Sequence, residues 1–107
     1  MKFPPIITGL LSAQNNYNSE AFAHYFSETA VVFDEGTTHN GRNEIKVWNE
    51  RTNAMYKTRL ETVDYSAAGN AGTLTVRVSG TFDGSPIVLK WNFEFDGDNI
   101  QSLTITG

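Results

Sequence analysis

The chain has no cysteine. That absence removes a disulfide framework, a thiolate metal site and a cysteine nucleophile together. Basic charge is also scarce: eight Lys and Arg stand against twelve Asp and Glu, a net charge of -4 with no run of like sign. Counterion release from nucleic acid needs a basic stripe and docking on an anionic membrane needs a basic patch, so neither partner is expected. No apolar run approaches the roughly 20 residues that span a bilayer. The only histidines are His24 and His39; neither has a carboxylate at ligand spacing, so no zinc or iron site and no cofactor is expected. Serine-nucleophile arrangements and glycine-rich phosphate loops are missing. The opening MKFPPIITGLLSA has one Lys, a Pro-Pro pair and no convincing cleavage site, which makes it a poor signal peptide, and a cytoplasmic location is expected.

What is present reads as one domain over residues 1–107, long enough to bury about two-thirds of its unfolded surface. Pro4 and Pro5 suit a helix start, and Ile6, Ile7, Leu10 and Leu11 follow at helical spacing, giving a first helix over about 4–14. Asn18 or Ser19 caps a second helix that runs to about Ser27, with Phe22, Tyr25 and Phe26 on one face and His24 outside that stripe. Ala30 to Glu35 reads as a strand, Gly36 to Asn40 as a turn, and Arg42 to about Tyr56 as a third helix.

After residue 57 the apolar period changes from 3.6 to two. Arg59–Ala68, Thr73–Phe82, Ile87–Phe95 and Ile100–Thr106 read as an antiparallel meander, with Asp83-Gly84 as a plain hairpin turn. Leu74, Val76 and Val78 share a face, as do Ile87, Leu89, Trp91, Phe93 and Phe95, while Thr75, Arg77, Lys90 and Glu94 face the other way. Ile100 and Leu103 have opposite parity, so a bulge near Gln101-Ser102 is expected to restore the register. The fold class is α+β: three N-terminal helices on a curved antiparallel sheet that encloses a pocket.

The chemistry concentrates in AVVFDEGTTHNGRNEIKVW, Ala30 to Trp48. Asp34 alternates with Ala30 and Val32, which puts a carboxylate on the apolar face at a strand end, the position of a general base. Glu35 points to the other face as a solvated strand end. His39 follows five residues after Asp34 and is a candidate partner in a proton-moving dyad, or else a turn residue bonded to backbone. Arg42 stands where the helix macrodipole disfavours a cation, so an ion pair with Glu35 or Asp34 is expected. Phe26, Trp48, Tyr56, Tyr65, Trp91 and Phe93 supply a ligand-binding wall, and buried Trp and Tyr tips need hydrogen-bond partners. Each also suits a core position.

This stretch, followed by Tyr56 at the helix end and VSGTFDGSPIVLKWNFEFDGDNI, resembles the SnoaL-like branch of the nuclear transport factor 2-like superfamily. The likeness covers about residues 6–106 and is most specific in DEG-x-x-H-x-GR-x-x-I-x-x-W and FxFDGDxI. It implies the cystatin-like cone and an activity drawn from isomerases, dehydratases, cyclases or ligand binders. Ketosteroid isomerase, a distant relative by this resemblance, places its base on Asp34, its first oxyanion donor on Leu10 and its second on Trp91. The base is kept and both donors are replaced, with the Trp91 N–H as the one substitute, so steroid isomerisation by that mechanism is not expected.

Two readings of function follow. The first is cofactor-free acid/base chemistry on an apolar carbonyl-bearing or epoxide molecule, with Asp34 as base and His39 or Trp91 assisting. The second is a module that holds a hydrophobic small molecule without turning it over. The resemblance also implies a homodimer through the outer sheet face, where Val63 and Val88 mix with Thr75, Thr81, Arg77, Lys90 and Glu94.

Overall fold

A computed structural model describes residues 3–107. Pro5 stands at the first position of helix α1 (Pro5–Asn15), and Ile7, Leu10, Leu11 and Gln14 fall on its buried side. Helix α2 (Ser19–His24) is capped by Asn18, whose side chain accepts the Ala21 N–H at 3.1 Å. It is shorter than its apolar spacing predicts. Phe26 opens strand β1 (Phe26–Asp34) and pairs with Ile100, and the Ile100 N–H bonds the Tyr25 carbonyl. Sheet pairing thus overrides the helical stripe.

The expected turn at 36–40 is mostly strand. Glu35 and Gly36, both at positive φ (51° and 75°), make a two-residue hairpin turn, and β2 (Thr37–Asn40) pairs back on β1. Two successive positive φ values match the twist of a tight hairpin. Helix α3 (Gly41–Tyr56) follows directly and ends on Lys57 in the left-handed conformation.

The remaining strands are β3 (Arg59–Ala68), β4 (Ala71–Ser79), β5 (Ile87–Asp96) and β6 (Asn99–Thr106), in an antiparallel meander as the alternation predicts. The six strands lie in the order β2-β1-β6-β5-β4-β3, and β1 runs parallel to β6. The register jumps from Phe95↔Ile100 to Glu94↔Ser102, leaving Gln101 as the extra residue, so Ile100 and Leu103 are both buried. One expectation fails between β4 and β5. The ladder stops at Val78↔Ile87, and Asp83-Gly84 turns within a longer loop, residues 80–86, with the Ser85 N–H on the Phe82 carbonyl at 3.3 Å, rather than joining the two strands directly. The Thr81 N–H donates to the Tyr56 carbonyl at 2.7 Å, which ties the chain to the end of α3.

The core lies between the helices and the inner sheet face. Ile7 and Leu10 of α1, Phe22 of α2 and Ile45 of α3 meet Leu74, Val76, Phe93 and Leu103 of the sheet. Filling this space stops short of closure toward the end of α3, where a cavity remains.

Candidate functional site

The cavity holds about 350 Å³ between α3, the inner faces of β4 to β6 and the loop 80–86. Helix α3 presents Trp48, Asn49, Thr52 and Tyr56 to it, the sheet presents Val78, Leu89, Trp91 and Ile105, and the loop adds Phe82 and Asp83. Phe82 packs edge-on against the Tyr56 ring at 5.9 Å, so the loop closes the end that helix and sheet leave open.

Asp34 reaches the wall from the end of β1. It shares a face with Ala30 and Val32, both fully buried, and the hairpin turn that follows leaves its carboxylate half-buried at the rim. Trp48 Nε1 donates to Asp34 Oδ2 at 3.2 Å. Among the described residues the charged lining groups are Asp34, Glu35 and Asp83, and no Lys, Arg or His lines the cavity. Glu35 and Asp83 are exposed at its mouth.

Trp91, on β5 between Leu74 and Ile105, is 5% exposed. Its Nε1 is buried without a hydrogen-bond partner, the one such side-chain nitrogen or oxygen among the described residues. Leu10, the other position the steroid-isomerase resemblance singles out, is fully buried in the core and does not line the cavity.

A buried amide network stands behind one wall. Gln14 Nε2 donates to Asn53 Oδ1 at 2.8 Å and to Thr58 Oγ1 at 3.0 Å, while Gln14 Oε1 accepts from Asn49 Nδ2 at 2.6 Å. Asn49 Oδ1 accepts from Ser19 Oγ at 2.6 Å and from Asn53 Nδ2 at 3.2 Å. Thr58 Oγ1 donates to Asn53 Oδ1 at 2.6 Å. The network ties α1, α2, α3 and the start of β3 together, and Gln14, Asn49 and Thr58 also line the cavity. The sequence carried a signal for it: Gln14 continues the Ile7, Leu10, Leu11 stripe, and a polar side chain on a buried stripe must be satisfied.

The other predicted site residues divide. Trp48, Tyr56, Trp91 and Asp34 come together at one cavity. His39 does not line it and makes no hydrogen bond to Asp34; on β2 it pairs with Val32 and lies against the Trp48 indole, with ring centres 5.6 Å apart. Phe26 and Phe93 are core residues that do not reach the cavity. Tyr65 lines a separate hollow beside Pro4 and Pro5, where burial raises its hydroxyl above the usual tyrosine range. Arg42 pairs with neither Asp34 nor Glu35: its Nε donates to the Phe26 carbonyl at 2.7 Å, and its guanidinium stands 3.9 Å from Glu28. The reason is topological, since β1 brings its beginning to the start of α3 and carries Asp34 toward Trp48.

Among the described residues no three His, Cys, Asp or Glu side chains are grouped to hold a metal, and no helix is long and apolar enough to cross a membrane.

The family model of the SnoaL-like domain matches residues 7–102. Among solved structures, a Sinorhizobium meliloti protein assigned as a polyketide cyclase is 28% identical, with a TM-score of 0.93 over 97% of this chain and 95% of its own. A Catenulispora acidiphila protein with a ketosteroid isomerase-like fold, in complex with trimethylamine, is 24% identical, with a TM-score of 0.89 over 99% and 87%. SalBIII, an epoxide hydrolase/cyclase-like enzyme of pyran ring formation in salinomycin, shares the fold at 19% identity, with a TM-score of 0.77 over 94% and 86%. No curated protein matches the chain.

Proposed function

The chain belongs to the SnoaL-like domain family, and from that premise we propose that it is a cofactor-free acid/base enzyme acting on an apolar carbonyl-bearing or epoxide molecule. Asp34 is the base. The observation that carries this reading is a half-buried carboxylate, held by one indole N–H, at the wall of a largely apolar cavity with no facing cation among the described residues. The single bond from Trp48 fixes Oδ2 and leaves Oδ1 free to take a proton. His39 is given no proton-transfer role, because its ring packs against Trp48 and makes no hydrogen bond to the carboxylate. The likeness to the Sinorhizobium meliloti protein supports cyclase chemistry within that class.

A second reading, a non-catalytic module for a hydrophobic ligand, is favoured by one observation: both positions of the steroid-isomerase oxyanion donors carry other residues, Leu10 and Trp91. Purifying the chain and identifying any retained small molecule by native mass spectrometry, then incubating it with the wild type and with Asp34→Asn, separates the two. Conversion by the wild type alone supports the enzyme; tight retention by both without conversion supports the module. The proposal includes a cytoplasmic location and a second copy of the chain paired through the outer sheet face, which carries exposed Phe33, Val63 and Val88 among Thr, Asn and the charged Arg77, Lys90 and Glu94.

A further inference from the structure

Three residues of α3 that line the cavity stand one turn apart: Trp48, Thr52 and Tyr56. Side chains four residues apart share a helix face, so the cavity runs along the helix. From Trp48 to Tyr56 the helix rises about 12 Å, at about 1.5 Å per residue. The facing wall has the same length: Ile87, Leu89 and Trp91 of β5 alternate onto it, and that piece of strand rises about 13 Å. The two ends differ. At one, Trp48 donates to Asp34, and the buried Phe22 packs against both tryptophans, with ring centres 6.1 Å from Trp48 and 6.5 Å from Trp91. At the other, where the Val78↔Ile87 pair ends the ladder, Phe82 stands edge-on to Tyr56. Phe82 is held there through its neighbours. The Thr81 N–H and Oγ1 donate to the Tyr56 and Met55 carbonyls at 2.7 and 3.3 Å, carbonyls that the end of a helix leaves without a partner of its own. The loop comes so close that a side chain at Gly80 would stand 2.5 Å from the Tyr56 oxygen.

We propose that Phe82 sets the length of the ligand, which is a narrow neutral molecule of medium chain length, its reactive end at Asp34 and its hydrocarbon tail ending on the Phe82 ring. An extended chain advances about 1.2 Å per bond, so a run of about 12 Å takes about ten carbons. The volume of about 350 Å³ drawn out over that run is a narrow channel, which suits one chain or one ring at a time. The tail end is apolar: Val78, Ile87 and the Phe82 ring line it, and the Thr58 hydroxyl there is occupied by Asn53 and Gln14. Phe82 is thus a specificity-determining residue, and the loop 80–86 positions it. This assignment deepens the proposed function and rests on the same cavity, but it concerns binding and not turnover.

The test is equilibrium dialysis of the full chain against the straight-chain methyl ketones from 2-hexanone to 2-tetradecanone. Affinity for the wild type is expected to rise about fourfold per methylene up to about ten carbons and then to level off or fall. Phe82→Ala opens the space of the lost ring and carries the rise on for about three further carbons. Phe82→Trp acts in the opposite sense and brings the break to shorter chains, so either variant decides the matter if the other fails to fold. An unchanged break in a folded variant, or a wild-type affinity that climbs without a break to 2-tetradecanone, overturns the role of Phe82 and leaves the cavity as the ligand site. No binding at any chain length overturns that role and the proposed function together. Deuterium exchange beside the carbonyl, followed in the same samples, reports the acid/base reading separately: a break that moves with Phe82 while no exchange occurs upholds the length limit and contradicts Asp34 as base.

Discussion

Trp48 and Asp34 are joined by one hydrogen bond of 3.2 Å between the indole N–H and the carboxylate, linking the middle of α3 to the last residue of β1. Trp48 is 8% exposed, and among the described residues the carboxylate is the only acceptor its N–H has. Trp48→Phe keeps an aromatic ring and is expected to lower unfolding free energy by about 1.5 to 3 kcal/mol, the range for a bond to a charged group. Asp34→Asn keeps an acceptor and loses less. Denaturant titration of the two variants checks the order; a Trp48→Phe protein as stable as the wild type would show that the bond holds nothing in place.

The amide network behind the cavity wall behaves as a unit. Gln14→Leu strips Asn49, Asn53 and Thr58 of a partner at once and is expected to cost about 2 to 3 kcal/mol, because buried polar atoms are left unmet. Gln14→Leu combined with Asn49→Leu is expected to cost clearly less than the sum of the two single changes. A double-mutant cycle measures the coupling, and strict additivity would mean that the bonds act independently.

Lys57 ends α3 at φ 49°, with its N–H on the Asn53 carbonyl. A non-glycine residue at this left-handed cap costs about 1 kcal/mol, and glycine avoids it. Lys57→Gly is therefore expected to raise thermal stability by a few degrees, whereas Lys57→Val lowers it. Calorimetry on both variants gives the sign.

The residues that were hardest to read in the sequence are those whose neighbours come from far along the chain. The sheet meander and its Gln101 bulge followed from period-two parity, since a buried face fixes the register locally. Phe26 did not: its spacing from Phe22 is helical, and only Ile100, far along the chain, claims it for a strand. The length of the loop 80–86 was hidden by Asp83-Gly84: that turn forms, but the bond from Thr81 to Tyr56 draws the chain out of the ladder before it. In the site, Asp34, Trp48, Tyr56 and Trp91 were legible because parity and helical spacing aim side chains. Asn49, Asn53 and Thr58 were not, because a polar residue beside an apolar stripe looks like surface until its partners on other elements are known.

On the outer sheet face Phe33 is 46% exposed beside Thr104, Asn92 and Thr73, and Val88 is 52% exposed beside Arg77, which pairs with Glu61. A face of this composition suits about 800 Å² of contact per partner. Replacing both apolar residues, Phe33→Glu and Val88→Glu, is expected to give folded monomers from a dimer. Sedimentation of the unmodified chain at micromolar concentration as an 11.9 kDa species would contradict the pairing.

The base assigned to Asp34 is tested most directly by solvent deuterium entering the carbons beside the carbonyl of a neutral ketone. Wild type in deuterium oxide is expected to catalyse exchange that Asp34→Asn, folded and still binding the ketone, lowers by about 10²- to 10⁴-fold, the contribution of a positioned general base. Equal exchange in the two proteins, or none above the buffer rate in the wild type with ketone bound, would contradict it.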